Sequence, residues 1–271
     1  EHSGHSNPAL ALLKAVMQRQ NDLIVNWLRV GFIHGVMNTD NMSIAGETID
    51  YGPCAFMNAY HPRTVFSSID TQGRYAFARQ PNIAYWNLSV FANALLPLID
   101  EEEEAAAAKA KAVLDEFPEL FSRAYFEMMA HKLGIVHPTE ADRELVETIL
   151  DILTRQKVDY TNFFTALRRG GGLIDELEQK EAFPTWYSTW EKARLRGGAT
   201  LSESQALMAQ NNPVVIPRNH KVEEVLTAAT EGDLRPFHAF MEKLAAPYDD
   251  GLPLQAVPAG FDDRYQTFCG T

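Results

Sequence analysis

His34-Gly35-Val36-Met37-Asn38-Thr39-Asp40-Asn41, followed by Thr48-Ile49-Asp50-Tyr51-Gly52-Pro53, is the stretch on which the reading of this chain turns. It interrupts helical periodicity and is rich in Gly, Asn, Asp and Thr. Residues 42–44 and 48–50 read as two very short strands around a turn at Ala45-Gly46. The ends of such a hairpin converge, so Asn41 and Asp50, which flank it, can reach one cation. An amide oxygen and a carboxylate are hard ligands, suited to Mg²⁺ held together with substrate phosphates. Asp40 sits beside them as a further acid. Asp and Asn are common in turns, so each alone reads as turn chemistry. Their joint spacing with His34 and Gly52 points instead to a site.

In protein kinases the catalytic loop reads H-R-D-x-x-x-x-N, and a D-F-G follows. His34 and Asn41 keep the same seven-residue separation, and Asp50-Tyr51-Gly52 stands where D-F-G would. Val36 occupies the place of the kinase catalytic Asp and cannot accept a proton. Asp40 is the one nearby carboxylate able to take over. A metal site kept while the usual base is gone is a pseudokinase pattern. His34 reads as a brace for the loop backbone. Asn38 and Thr39 read as shaping it through side-chain-to-backbone hydrogen bonds.

Outward from this stretch, helical signals dominate. Asn7 is a good N-cap and Pro8 suits the first helical position; Leu10, Leu13, Met17, Ile24 and Leu28 then recur until Gly31, predicting a helix over 8–30. Residues 54–80 are irregular and longer than an ordinary connector, which marks a functional segment. Helices return over 83–96, with five acids at 100–104 leading into an alanine run as a solvated helix start. Others are predicted at 119–134, 140–155, 160–169, 185–195, 202–210, 220–230 and 234–246. Thr139 with Asp142 reads as a helix entry, and Gly170-Gly171-Gly172 as a helix terminator. Asn219 reads as a cap for the helix near His220, with Glu223 in its first turn, and Trp186 with Trp190 as a core stripe. From Pro247 the tail reads as extended over the surface.

Across 271 residues, hydrophobic residues make up 46% and charged ones 22%, a globular balance. Twenty-four Lys plus Arg against 36 Asp plus Glu leave a net charge of -12. That speaks against charge-driven binding to nucleic acid or anionic membrane. No apolar run approaches the roughly 20 residues of a membrane span. Cys54 and Cys269 are too few for a disulfide framework, so an intracellular, reducing setting is the expectation. The other histidines lack zinc-ligand spacing.

HGVMNTDNMSI with TIDYGP resembles the selenoprotein O (SelO) family, pseudokinases that act as protein adenylyltransferases. The likeness continues in Gln80-Pro81, Trp86-Asn87-Leu88, Asp159-Tyr160-Thr161, Asn212-Pro213, Ile216-Pro217-Arg218-Asn219, Gly232-Asp233, Pro236-Phe237 and Cys269. The resemblance implies that Asp40 is the proton acceptor. It makes Asn41 and Asp50 ligands of Mg²⁺ (or Mn²⁺), with Asp50 also meeting the phosphates of ATP. ATP would bind flipped relative to ordinary kinases, and AMP would pass to a Ser, Thr or Tyr hydroxyl of a protein. A γ-phosphoryl transferase and a non-catalytic nucleotide- or partner-binding module are the alternatives. A cytoplasmic location follows if the source is bacterial, a mitochondrial one if eukaryotic.

The fold so implied is mainly α: a protein-kinase-like C-lobe with a small β-hairpin at the metal site and additional C-terminal helices. Residues 1–100 would hold the kinase-like core, and 101–271 a helical part packed on it as one body. A kinase N-lobe needs a glycine-rich loop and a strand lysine, and neither is identifiable ahead of Asn7. The expectation is a C-terminal portion, inactive alone, whose partner is the N-lobe of its parent chain. Family members can tie a C-terminal Cys to the activation segment, which makes Cys54–Cys269 the candidate pair.

Overall fold

A computed structural model describes residues 4–268. The long first helix, α1 (Pro8–Val30), forms for the reasons legible in its ends. Asn7 accepts the Leu10 N–H at 3.1 Å and its own amide donates to Ile99 O at 2.8 Å, so one side chain caps α1 and fastens it to a neighbour. Gly31, at φ 77°, closes the other end. Leu13 and Ile24 are wholly buried, and each such side chain contributes about 1.5–3 kcal/mol.

Two short strands follow, β1 (Phe32–Ile33) and β2 (Ala55–Phe56), antiparallel with Phe32 opposite Phe56. They close the base of the excursion that carries the candidate site. Beyond them run α2 (Gln80–Ile99), α3 (Glu103–Leu114), α4 (Phe117–Lys132), α5 (Asp142–Gln156) and α6 (Tyr160–Arg169). The last are α7 (Leu173–Glu178), α8 (Phe183–Arg194), α9 (Leu201–Asn211), α10 (Asn219–Thr230) and α11 (Arg235–Leu244). Helix α1 packs on α2, α3 and α4; α5 lies on α8, and α9 on α4 and α6. One apolar core runs from Ala9 to Met208. The chain is thus mainly α with one small sheet.

Two expectations need correction. The segments 42–44 and 48–50 are not strands; a single antiparallel bridge joins Met42 to Thr48. The reason is what surrounds the turn. Gly46 lies so close to α1 that a Cβ would fall 2.7 Å from Arg19 Cβ, and Ser43 O is taken by the Gln20 side chain. The turn is pinned to a helix rather than extended into a ladder. Second, Asn219 does not cap α10. Its Oδ1 accepts the Phe56 N–H at 3.2 Å and its Nδ2 donates to Phe56 O at 3.0 Å. Strand β2 has an unpaired edge whose backbone groups need partners, and an amide offers one donor and one acceptor in the spacing of a strand. Helix α7, not among the helices predicted above, follows the triple glycine, with Ile174 and Leu177 buried.

Gly170 does end α6. Trp186 and Trp190 stack at 5.9 Å in the core, their indole N–H groups donating to Leu145 O and Leu133 O. Among the described residues no helix is long and apolar enough to cross a membrane.

Candidate functional site

Residues 34–53 form a loop that leaves β1 and returns to β2. His34, fully buried against Trp27, is its brace. The Val36 N–H approaches Nδ1 at 3.4 Å and Nε2 lies 2.9 Å from Ile49 O. Those partners fix the Nε2–H tautomer, so the ring donates to the main chain beside Asp50. Burial lowers the His34 pKa, against the opposing pull of the Ile49 bond and the Asp50 charge. Gln80 holds the backbone on both sides of the ring, accepting from His34 N at 3.0 Å and donating to Phe32 O at 3.0 Å. Gly35, at φ 87°, is required: a Cβ there would stand 2.6 Å from Pro53 O. The start and end of the loop touch at this point.

Residues Thr39–Asn41 form one 3-10 turn. Asn38 and Thr39 are held differently from expectation. Thr39 Oγ1 donates to Asn87 Oδ1 at 2.9 Å, and Tyr75 OH donates to Asn38 Oδ1 at 2.8 Å. Asn87 Nδ2 also donates to Met37 O at 3.0 Å. At Asn38 and Thr39 the side chains are clamped by α2 and by residues 54–80 rather than by the loop's own backbone. Those partners are distant in sequence, so local pattern could not reveal them.

Asp40 is exposed, and its carboxylate bonds nothing among the described residues. Asn41 Nδ2 donates to Val36 O at 3.0 Å, which orients the amide and leaves Oδ1 without a donor among the described residues. Asp50 is exposed at φ 54°, a left-handed conformation that Asp tolerates better than most L residues. Its Oδ1 accepts only the Gly52 N–H, at 3.4 Å. The Met42–Thr48 bridge sets Asn41 and Asp50 on the two arms of the turn, just outside the bridged pair. Val36 is buried, with no proton-accepting group. No group of three or more His, Cys, Asp or Glu that could hold a metal occurs among the described residues. The donor set here is smaller: one amide oxygen and one carboxylate, hard oxygens that fit a cation taking further ligands from phosphate and water.

Behind the loop lies a groove of about 1070 Å³ lined by Thr48, Tyr51, Gly52, Phe56, Phe237 and Met241, among others. The tail returns to the site, which its composition did not disclose. Thr267 N donates to Phe66 O at 2.8 Å and Thr267 Oγ1 to Pro53 O at 2.6 Å, so the tail fastens the segment after Asp50. Cys54 Sγ contacts Tyr51 O at 3.1 Å, and burial pushes its thiol up to about 11. Cys269, its expected partner, lies outside the described residues.

Arg218 is the other residue whose role sequence reasoning missed. Fully buried, it pairs with Asp159 at 2.7 Å and donates to Asn58 Oδ1 at 2.8 Å and Asn162 Oδ1 at 3.1 Å. It ties the segment after β2 to the start of α6. Its signal was confined to the resemblance already noted at Asp159 and Ile216-Pro217-Arg218-Asn219.

A family described as protein adenylyltransferase SelO matches residues 2–245. A protein nucleotidyltransferase YdiU from Bacillus cytotoxicus is 46% identical over 271 residues, covering 98% of this chain and 55% of the relative. One from Pelagibacter ubique is 46% identical over 268 residues, covering 98% of this chain and 56% of its own. One from Brevibacillus brevis is 48% identical over 269 residues, with 98% and 55% covered. The chain spans about half the length of these curated relatives.

Proposed function

The chain belongs to the SelO family, and from that premise we propose that it carries the metal-binding and proton-accepting part of a protein adenylyltransferase. The single observation behind this reading is the loop 34–53. It leaves the Asp40 carboxylate, the half-buried Asn41 Oδ1 and one oxygen of Asp50 without donors among the described residues, while the backbone around them is braced. In an ordinary turn such oxygens are spent on backbone N–H groups; here only Asp50 Oδ1 takes one, the long 3.4 Å contact from Gly52.

In this reading residues 1–100 are a kinase-like C-lobe core and residues 101–271 a helical part packed on it. Asn41 Oδ1 and the Asp50 carboxylate would hold Mg²⁺ or Mn²⁺ together with the phosphates of ATP. When bound, the cation offsets charge on the phosphate oxygens. Asp40 accepts the proton of a Ser, Thr or Tyr hydroxyl on a protein acceptor. The hydroxyl oxygen forms a bond to the α-phosphorus as the α–β bridging P–O bond breaks, and pyrophosphate leaves. Buried Val36 cannot serve as the base, which supports assigning that role to Asp40. His34, Gln80 and Asn87 position the loop.

Labelled ATP and the full-length protein test this. Label from the α-phosphate should appear on protein, and Asp50→Asn should abolish it. Label from the γ-phosphate instead would make the protein a phosphotransferase. No label of either kind would leave a nucleotide- or partner-binding module. The 271-residue chain alone should transfer little AMP, because the relatives are nearly twice as long and the rest of their length would complete the ATP cleft as an N-lobe.

A further inference from the structure

Beside the loop lies a segment whose charge is opposite in sign to that of the chain as a whole. In a chain of net charge -12, residues 54–82 contain Arg63, Arg74 and Arg79 against the single acid Asp70. Asp70 directs its two oxygens to the backbone N–H groups of Arg74 and Tyr75, at 2.7 and 2.8 Å, rather than to an arginine side chain. The Arg74 guanidinium lies 5.1 Å from the centroid of Trp86 and 5.7 Å from that of Tyr75. It makes no ion pair among the described residues. Trp86 itself is 46% exposed, a large indole kept partly in solvent. Stacking on an aromatic face holds a guanidinium flat and leaves its edge free for a carboxylate.

This platform is mechanically part of the site. Tyr75, under Arg74, donates to Asn38, and Asn87, next to Trp86 on α2, accepts from Thr39. Both bonds end within two residues of Asp40. An acceptor hydroxyl delivered to Asp40 would therefore bring its flanking residues against Arg74 and Trp86.

We propose that Arg74, laid over Trp86, is an acceptor-docking surface that selects protein segments carrying Asp or Glu beside the hydroxyl to be modified. The inference rests on the adenylyltransferase reading for its chemistry but on the platform's own geometry for its selectivity. Specificity here is a difference of affinities: the unpaired guanidinium attracts an acidic flank and repels a basic one.

The test uses the full-length protein and two fluorescein-labelled peptides, identical in one central Ser but flanked by Asp and Glu or by Lys and Arg. Anisotropy should show the acidic peptide bound about tenfold more tightly, with Arg74→Glu removing or inverting the preference. Trp86→Leu should weaken it, because the guanidinium loses its support. Arg63→Glu makes the same charge change on the same segment without touching the stack, and should leave most of the preference. Equal binding of the two peptides overturns the proposal. So does an Arg63→Glu effect as large as that of Arg74→Glu, which would mean bulk charge alone. Arg74 is solvent-exposed, so its variant should keep the wild-type melting temperature. A parallel transfer assay separates the two readings. Acidic preference in binding with γ-label transfer would retain the surface and overturn the adenylyl reading. AMP transfer without acidic preference would do the reverse.

Discussion

Two clusters in this molecule are built from the same residue types and do opposite things. Asp159, Asn58 and Asn162 surround Arg218 with nearly every polar group satisfied and the arginine fully buried. Asp40, Asn41 and Asp50 stand in a loop of similar composition, yet their oxygens are almost without donors among the described residues and the two acids are exposed. The first cluster spends its acids and amides on holding three segments together. The second has its backbone held by His34, Gln80, Asn87 and Thr267, and its own side chains make only two bonds among the described residues, Asn41 Nδ2 to Val36 O and Gly52 N–H to Asp50 Oδ1. Residue type does not distinguish structure from chemistry here; satisfaction does.

The contrast can be broken from either side. Arg218→Ala leaves Asp159 with its desolvation and without its cation, and should cost about 3–5 kcal/mol in chemical denaturation. Loss under about 1 kcal/mol would mean that the buried cluster is not what binds the segment after β2 to α6. Asp50→Asn should do the reverse. Asn tolerates the left-handed backbone and can still accept the Gly52 N–H, so stability should stay within about 0.5 kcal/mol of wild type. Transfer activity of the full-length protein should nonetheless fall by at least about 100-fold, as expected for removing a group that answers charge in the transition state. A variant that loses stability along with activity would return Asp50 to the structural class. Between the two lies Asn219→Leu, which keeps size but leaves the Phe56 N–H and C=O without their amide. A cost of about 2 kcal/mol is expected, read as a lowered midpoint with unchanged m-value.

How much of this was legible in the sequence follows the same division. Helix α1 could be read from Asn7, Pro8, the apolar repeat and Gly31, because caps and periodicity are local. The loop could be read from the spacing of His34, Asn41 and Asp50. What could not be read were the groups that hold it. Asn87, Tyr75 and Thr267 reach the loop from 37 to 214 positions away, and no local pattern encodes such a contact. The same blindness explains the misreading of Asn219. A polar residue ahead of a helix usually caps it, and only the unpaired edge of β2, far away in sequence, drew its amide elsewhere.

Asp250 supplies the smallest and most discriminating test, because it has partners like Asp159 but solvent like Asp50. Arg168 and Arg169 both donate to its carboxylate, which remains 56% exposed. Those hydrogen bonds, chiefly from Arg168, lower its pKa to about 2. A depressed carboxylate stabilises the fold above its unfolded pKa, near 3.9, and that contribution disappears as pH falls through about 2. Solvent screening of so exposed a pair limits the effect, so Asp250→Asn should cost no more than about 1 kcal/mol at pH 7. The difference from wild type should shrink to nothing in melts carried down to about pH 2. If Asp250→Asn costs as much as Arg218→Ala, pairing alone sets the stability of these acids. If it costs far less, burial decides, and the exposed acids of the loop 34–53 are free of a structural duty for the same physical reason.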